Sequence, residues 1–164
     1  STHGGSMRYP LGKFSHHSPK PIVKEILSAE IVQGLDRTST YHKFAARVAD
    51  SGRQLREALE ELKHEGRVIA AYGATSKSTT IYNYAGIGPD HIDFICDNTP
   101  NKIGKLSPGV HIPIVAEEHF RLNAPDVAFL SAWNHEREVR EHNAPFERGG
   151  GRWLTHVPRV RFID

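Results

Sequence analysis

The side chains best able to do chemistry stand in three short polar stretches, each placed just after an apolar run. The first is Tyr72-Gly73-Ala74-Thr75-Ser76-Lys77-Ser78-Thr79-Thr80, a turn that opens on glycine and is rich in hydroxyls around one lysine. Between a buried strand and a helix, such a turn presents free backbone amides and the positive end of the helix dipole to an anion. Lys77 and the hydroxyls of Thr75, Ser76, Ser78 and Thr79 are then further donors, and the expected ligand is a phosphate. It is neither the GxGxxG dinucleotide fingerprint nor the GxxxxGK[ST] phosphate loop. The alternative is a plain strand-to-helix turn whose hydroxyls cap the helix.

The second stretch is Asp97-Asn98-Thr99-Pro100-Asn101-Lys102-Ile103-Gly104. An acid at the end of a second strand binds ribose hydroxyls in nucleotide-binding α/β folds, and Lys102 has the reach for a phosphate. Asp97 or Asn98 could equally close an Asx turn before Pro100. The third is Ala132-Trp133-Asn134. Trp133 offers a ring to stack on a base, or an ordinary core contact, and Asn134 a contact or a helix cap. His111, in Gly109-Val110-His111-Ile112-Pro113, is a possible proton carrier, but no carboxylate or nucleophile completes a catalytic set around it. Cys96, within an apolar run, reads as a small core residue.

The elements that must position these stretches follow from hydrophobic period. Ile22 to Leu27 repeats with helical spacing behind Pro19 and Pro21, and this helix is expected to end near Gly34. Thr38-Ser39-Thr40 then opens a long helix to about Gly66 in which Tyr41, Phe44, Val48, Leu55, Leu59 and Leu62 form one stripe, expected to lie on a sheet. Beyond Gly66 the period changes. Val68–Tyr72, Ile92–Cys96, Ile114-Val115 and Val127–Leu130 read as buried strands, with helices expected over 78–84, 116–122 and 134–147. Two closing strands follow the Gly149-Gly150-Gly151 break, at 152–156 and 159–163. Strands alternating with helices predict an α/β domain with a mainly parallel sheet and an N-terminal helical segment before it.

Composition excludes several classes. The chain is 38% apolar and 24% charged, and no run approaches the roughly 20 apolar residues of a membrane span. A net charge of +2 with interspersed signs gives no basic stripe for nucleic acid. One cysteine excludes an intrachain disulfide, and with no secretory signal visible the cytoplasm is the expected compartment. Eleven histidines are scattered without zinc-ligand spacing; the pair His16-His17 comes nearest and lacks partners.

In chain order, Thr2-His3-Gly4-Gly5-Ser6-Met7-Arg8, Tyr72-Gly73-Ala74 with Lys77 and Asn83-Tyr84, Asp97-Asn98 with Pro100, Lys102 and Gly104, Pro108-Gly109 with His111-Ile112-Pro113, and Ala132-Trp133-Asn134 resemble the C-terminal domain of S-adenosylmethionine-dependent sugar C-methyltransferases. The resemblance spans nearly the whole chain. It implies a Rossmann-like domain over residues 21–164, with 1–20 as a linker from a methyltransferase domain. By the same resemblance the whole enzyme uses S-adenosylmethionine and zinc bound elsewhere, while this domain binds neither and helps hold a nucleotide-linked keto-deoxysugar, here expected to carry deoxythymidine diphosphate. Gly73, Ala74, Thr75, Ser76, Lys77, Ser78, Asp97, Asn98, Lys102, His111, Trp133 and Asn134 are then its substrate-binding candidates.

The family's proton-abstracting histidine belongs to a His-Glu-His-type stretch upstream of the segment matching Thr2-His3-Gly4-Gly5, so this chain alone is expected to be inactive. Members often carry a small residue and glycine around the lysine, where this chain reads Thr75-Ser76-Lys77-Ser78; the sugar or nucleotide can differ accordingly. Two other readings stand beside this one. The Asp-Asn-Thr-Pro-Asn-Lys-Ile-Gly stretch also resembles sugar-nucleotide-binding domains of acyltransferases, which would make a self-sufficient nucleotide-binding or regulatory module. A scaffold that merely docks to its neighbour is the third.

Overall fold

Six short strands, most of them flanked by apolar side chains on both faces, form one sheet in the order β3-β2-β1-β4-β5-β6. They are β1 (Ile69–Tyr72), β2 (Phe94–Cys96), β3 (Ile114–Val115), β4 (Val127–Leu130), β5 (Arg152–Thr155) and β6 (Arg161–Ile163). The computed structural model describes residues 7–13 and 18–163; Thr2 to Ser6 and the His16-His17 pair lie outside the described residues. Strands β1 to β5 run parallel and β6 is antiparallel to β5. The helices are α1 (Pro21–Val32), α2 (Thr38–His64), α3 (Ser76–Ala85), α4 (Glu117–Asn123), α5 (Glu136–His142) and α6 (Ala144–Arg148). The chain forms two units, residues 1–48 and 49–164, the division falling inside α2.

Within the second unit the period-2 alternation of the strands sorts the core into two layers. Ile69, Ala71, Ile95, Phe129 and Leu154 meet Leu55 and Leu59 of α2 and Tyr82 of α3. The intervening residues Ala70, Phe94, Cys96, Ala128, Leu130 and Trp153 meet Phe120 of α4, with Val139 of α5 and Phe146 of α6 at its margin. The sheet is thus covered by helices on both faces, as a parallel sheet requires.

Three of the differences from expectation have a clear physical reason. β1 starts one residue late because the Val68 amide donates to the Asp126 carboxylate (2.8 Å), while the next amide, of Ile69, donates to Asp93 (2.8 Å). The helix expected over 134–147 is instead a 3-10 turn at Trp133–His135 followed by α5 and α6. Pro145 has no amide and its ring would strike the carbonyl four residues back, so one helix cannot run through it. The chain breaks at Asn143, whose side-chain amide takes up the Val139 carbonyl (2.8 Å). Finally, the stripe of α2 is buried only in its second half. Leu55 and Leu59 are fully buried, whereas Tyr41 and Phe44 are 55% and 56% exposed. A helix of 27 residues is about 40 Å long, far more than a four-residue strand can cover.

One close contact is decisive for the second layer. A β-carbon at Gly151 would lie 2.0 Å from Cε2 of Phe146, whose ring packs at 5.1 Å from both Phe120 and Trp153. Gly151→Ala is therefore expected to push Phe146 out of this aromatic group and cost about 1–3 kcal/mol. A urea midpoint equal to that of the parent would show that the ring is not held there.

Candidate functional site

β1 pairs with β2 on one side and β4 on the other, and the chain leaves β1 toward β2 and returns to β4 across it. The carboxyl ends of β1 and β4 therefore flank the point where strand order reverses, the place where open α/β sheets leave a crevice for ligands. Residues Gly73 to Ser78 form one lip and Ser131 to Asn134 the other. The lips are close. Gly73 has φ 98°, and a β-carbon there would come within 3.2 Å of the Ala132 β-carbon.

The lip after β1 is held from both neighbouring strands. Its Gly73 amide donates to the Cys96 carbonyl at the end of β2 (2.8 Å). The Ala74 amide donates to Oδ2 of Asp97 (2.7 Å). From the β4 side, the Ser131 hydroxyl sits 2.7 Å from the Tyr72 carbonyl and 2.6 Å from that of Gly73, and donates to this pair. Thr75 then caps α3. Its Oγ1 accepts from the Ser78 amide (3.0 Å), and the Ser78 hydroxyl accepts from the Thr75 amide (2.9 Å), a reciprocal capping box. Thr79 turns its hydroxyl back to the Thr75 carbonyl (3.2 Å). The hydroxyls of Thr75, Ser78 and Thr79 are thus engaged with the turn itself, and Ser76 and Lys77 are the exposed side chains.

Lys77 reaches across the crevice. Its ammonium nitrogen lies 3.3 Å from Oδ1 of Asn134 and 5.0 Å from the centre of the Trp133 ring, within cation–π range. The structure therefore joins Lys77 to Asn134, 57 positions later in the chain, and to its neighbour Trp133. Asn134 lies inside the 3-10 turn, whose N-cap position is Ala132, so it is not the helix cap expected as its alternative role.

Asp97 is buried, and its two oxygens face three donors of its own chain: Ala74 N–H, Lys102 Nζ (3.2 Å) and, at Oδ1, the Thr99 amide (2.8 Å). The last contact closes the Asx turn. Burial opposes charge on this carboxyl, but the bonds from Thr99, Ala74 and Lys102 outweigh it and hold its pKa below the usual value. Asn98 is exposed beside it. A cavity of about 280 Å³ lies between the start of α3 and the loop after β2, with Thr75, Ser76, Asn101, Lys102 and Lys105 in its wall. His111 stands apart, exposed at φ 63° on the loop whose Pro108 carbonyl accepts from Asn83 (3.0 Å). Cys96 is buried and its thiol is pushed up to about 12 by burial, which suits a core residue.

Sequence reasoning missed His156, directly after β5 at the same carboxyl edge. Its ring stands edge-on to Trp133 at 5.2 Å, its Nδ1 is buried without a hydrogen-bond partner, and burial lowers its pKa. The residue following a parallel strand faces the crevice, as Asp97 does after β2; knowing that β5 is parallel would have found it. A larger recess, about 430 Å³, lies on the other side, among Phe120, Arg121, Pro125, His142, Phe146 and Gly150. It holds none of the expected site residues. Among the described residues no group of three or more His, Cys, Asp or Glu could hold a metal ion, and no helix is long and apolar enough to cross a membrane.

One protein family, described as the C-methyltransferase C-terminal domain, matches residues 1–158. The chain is also 34% identical over 163 residues to the C-methyltransferase NovU of Streptomyces niveus, a match that takes in 99% of this chain and 39% of that protein. It thus spans about two fifths of that relative's length.

Because Asp97 ties the turn after β1 to the loop after β2, Asp97→Asn is expected to destabilise the fold by about 1–3 kcal/mol at neutral pH. A lowered carboxyl pKa contributes stability that is complete above the unfolded value of about 3.9 and is lost as pH falls through the folded one. Urea melts of parent and variant should therefore converge in acid. A gap that persists undiminished at low pH would mean that the charge is not what holds the turn.

Proposed function

The chain belongs to the C-methyltransferase C-terminal domain family, and we propose that it is the substrate-holding domain of an S-adenosylmethionine-dependent enzyme that methylates a carbon of a nucleotide-linked keto-deoxysugar. The observation that carries this reading is the convergence of Lys77, Trp133 and Asn134 on the crevice between β1 and β4. An ammonium beside the N-terminus of α3 suits a diphosphate, an indole face suits a base, and an amide can hydrogen-bond a base edge or a ribose hydroxyl. With the hydroxyls of Thr75 and Ser78 committed to capping, the phosphate contacts fall to Lys77, Ser76 and the backbone. Asp97 and Lys102 act from beneath, fixing Ala74 and the wall of the adjoining cavity.

Methyl transfer to carbon explains why a holding domain is needed. A carbon beside a carbonyl must lose its proton before it can attack a sulfonium methyl group, so base, donor and sugar have to meet in one geometry. This domain contributes position. His156 stands beside Trp133 at the crevice, where burial disfavours its protonated form. On this reading S-adenosylmethionine and zinc are held by the remainder of the enzyme, and the domain alone is inactive.

Calorimetry with deoxythymidine diphosphate tests the site. A hydrogen bond to a charged group contributes about 1.5–3 kcal/mol, so Lys77→Ala should weaken binding by about ten- to a hundred-fold with little change in melting temperature. Unchanged affinity together with a lower melting temperature would reduce Lys77 to a cover for the Trp133 ring. Tighter binding of coenzyme A or of a uridine nucleotide by the parent would favour the self-sufficient module instead. No heat is expected with S-adenosylmethionine at micromolar concentrations.

A further inference from the structure

We propose that the exposed apolar face of α1 and of the first turns of α2 is the seat of the methyl-donor domain of the same enzyme. This rests on the reading above only in taking the chain as one domain of a larger methyltransferase. α1 has no buried residue, although Ile22, Val23, Leu27 and Ile31 line it at helical spacing; Ile22, Leu27 and Ile31 are 52%, 53% and 57% exposed. In α2 the residues Tyr41, Phe44 and Val48, at positions i, i+3 and i+7, continue the pattern and are 55%, 56% and 36% exposed. The Arg47 guanidinium lies 6.0 Å from the Phe44 ring centre.

A helix of 12 residues is marginal in water unless its apolar stripe is covered. Exposed large apolar side chains aligned at helical spacing, rather than scattered singly, mark an interaction surface.

Two observations decide the occupant. The family to which the chain belongs is a C-terminal domain, and the match covers only 39% of the Streptomyces relative, so a large part of such an enzyme lies ahead of α1. A neighbour joined through the residues just before α1 is presented at a high effective concentration, which a second copy of the chain cannot match at ordinary protein levels.

Hydrogen exchange read by mass spectrometry, on the 164-residue chain and on the complete enzyme that contains it, tests the assignment. Amides of residues 24–32 should exchange at least about tenfold more slowly in the complete enzyme. Leu27→Glu combined with Phe44→Glu in the complete enzyme should restore fast exchange and reduce methyl transfer. Equal exchange in the two forms would overturn the proposal. So would a concentration-dependent dimer of the 164-residue chain that Leu27→Glu abolishes, since a second copy would then own the face. Deoxythymidine diphosphate binding by the 164-residue chain reports separately on the crevice. Protection of α1 without nucleotide binding would remove the nucleotide-sugar reading and leave the docking face standing, and the converse result would do the opposite.

Discussion

A buried parallel strand ends in backbone groups that the sheet no longer pairs, and the exit of β1 is where this constraint bears hardest. It is the central strand, flanked on both sides, so water cannot reach its last amides and carbonyls as it can at an edge. The structure answers with side chains from its two neighbours. Asp97, just past β2, accepts the Ala74 amide, and Ser131, just past β4, donates to the carbonyls of Tyr72 and Gly73. These bonds set the path of the turn, the direction of α3 and hence the place where Lys77 emerges. Buried polar groups left unpaired cost far more than the bonds return when made, which is why such short connections are so specific.

The two-layer core follows from the same central strand. Ala70 and Ala71 are small and point to opposite faces, so a larger side chain from each layer can come close to the middle of the sheet. On one face Tyr82 and Phe129 fill the space, with the Tyr82 hydroxyl facing Ser78 and Ser131 under the turn and burial pushing its pKa up. On the other, Phe120 and Trp153 pack against each other, against Phe146 and against Tyr72, whose hydroxyl donates to Glu117 (2.9 Å). Glu117 is in turn paired with His142 (2.6 Å) and Arg121 (3.3 Å). The end of β1 is therefore tied to α4 and α5 as well, so the crevice rests on both layers.

The polar turn shows how one set of residues can suggest two roles and fill mainly one. A run of serines and threonines around a lysine after a strand looks like a phosphate loop. Thr75 and Ser78, however, stand three apart, the spacing of a capping box, and in the fold they satisfy each other's amides. The hydroxyls of Thr75 and Ser78 thereby rigidify the lip. Lys77, two positions inside the helix, points outward because the cap occupies its neighbours.

By itself the sequence determined what short-range physics controls. Period marked most of the strands, glycine and proline marked the turns, and Gly66 and Gly86 take the left-handed conformation that ends α2 and α3. The break at Pro145 was legible in principle, since proline cannot be passed by a helix. Asp97 was legible as a residue of consequence, with its Asx turn among the alternatives. Only the tertiary structure decided which of the flagged residues meet. Lys77 and Asn134 are 57 residues apart, and their contact depends on β4 returning beside β1 rather than beyond β3, a choice made by the burial of whole strand faces and not by any local spacing. It also decided that His111 stands apart, that His156 belongs at the crevice because β5 is parallel, and that the stripe of α2 is buried from Leu55 onward while Tyr41 and Phe44 remain exposed. An apolar stripe specifies that something must cover it; what covers it is set by the rest of the molecule.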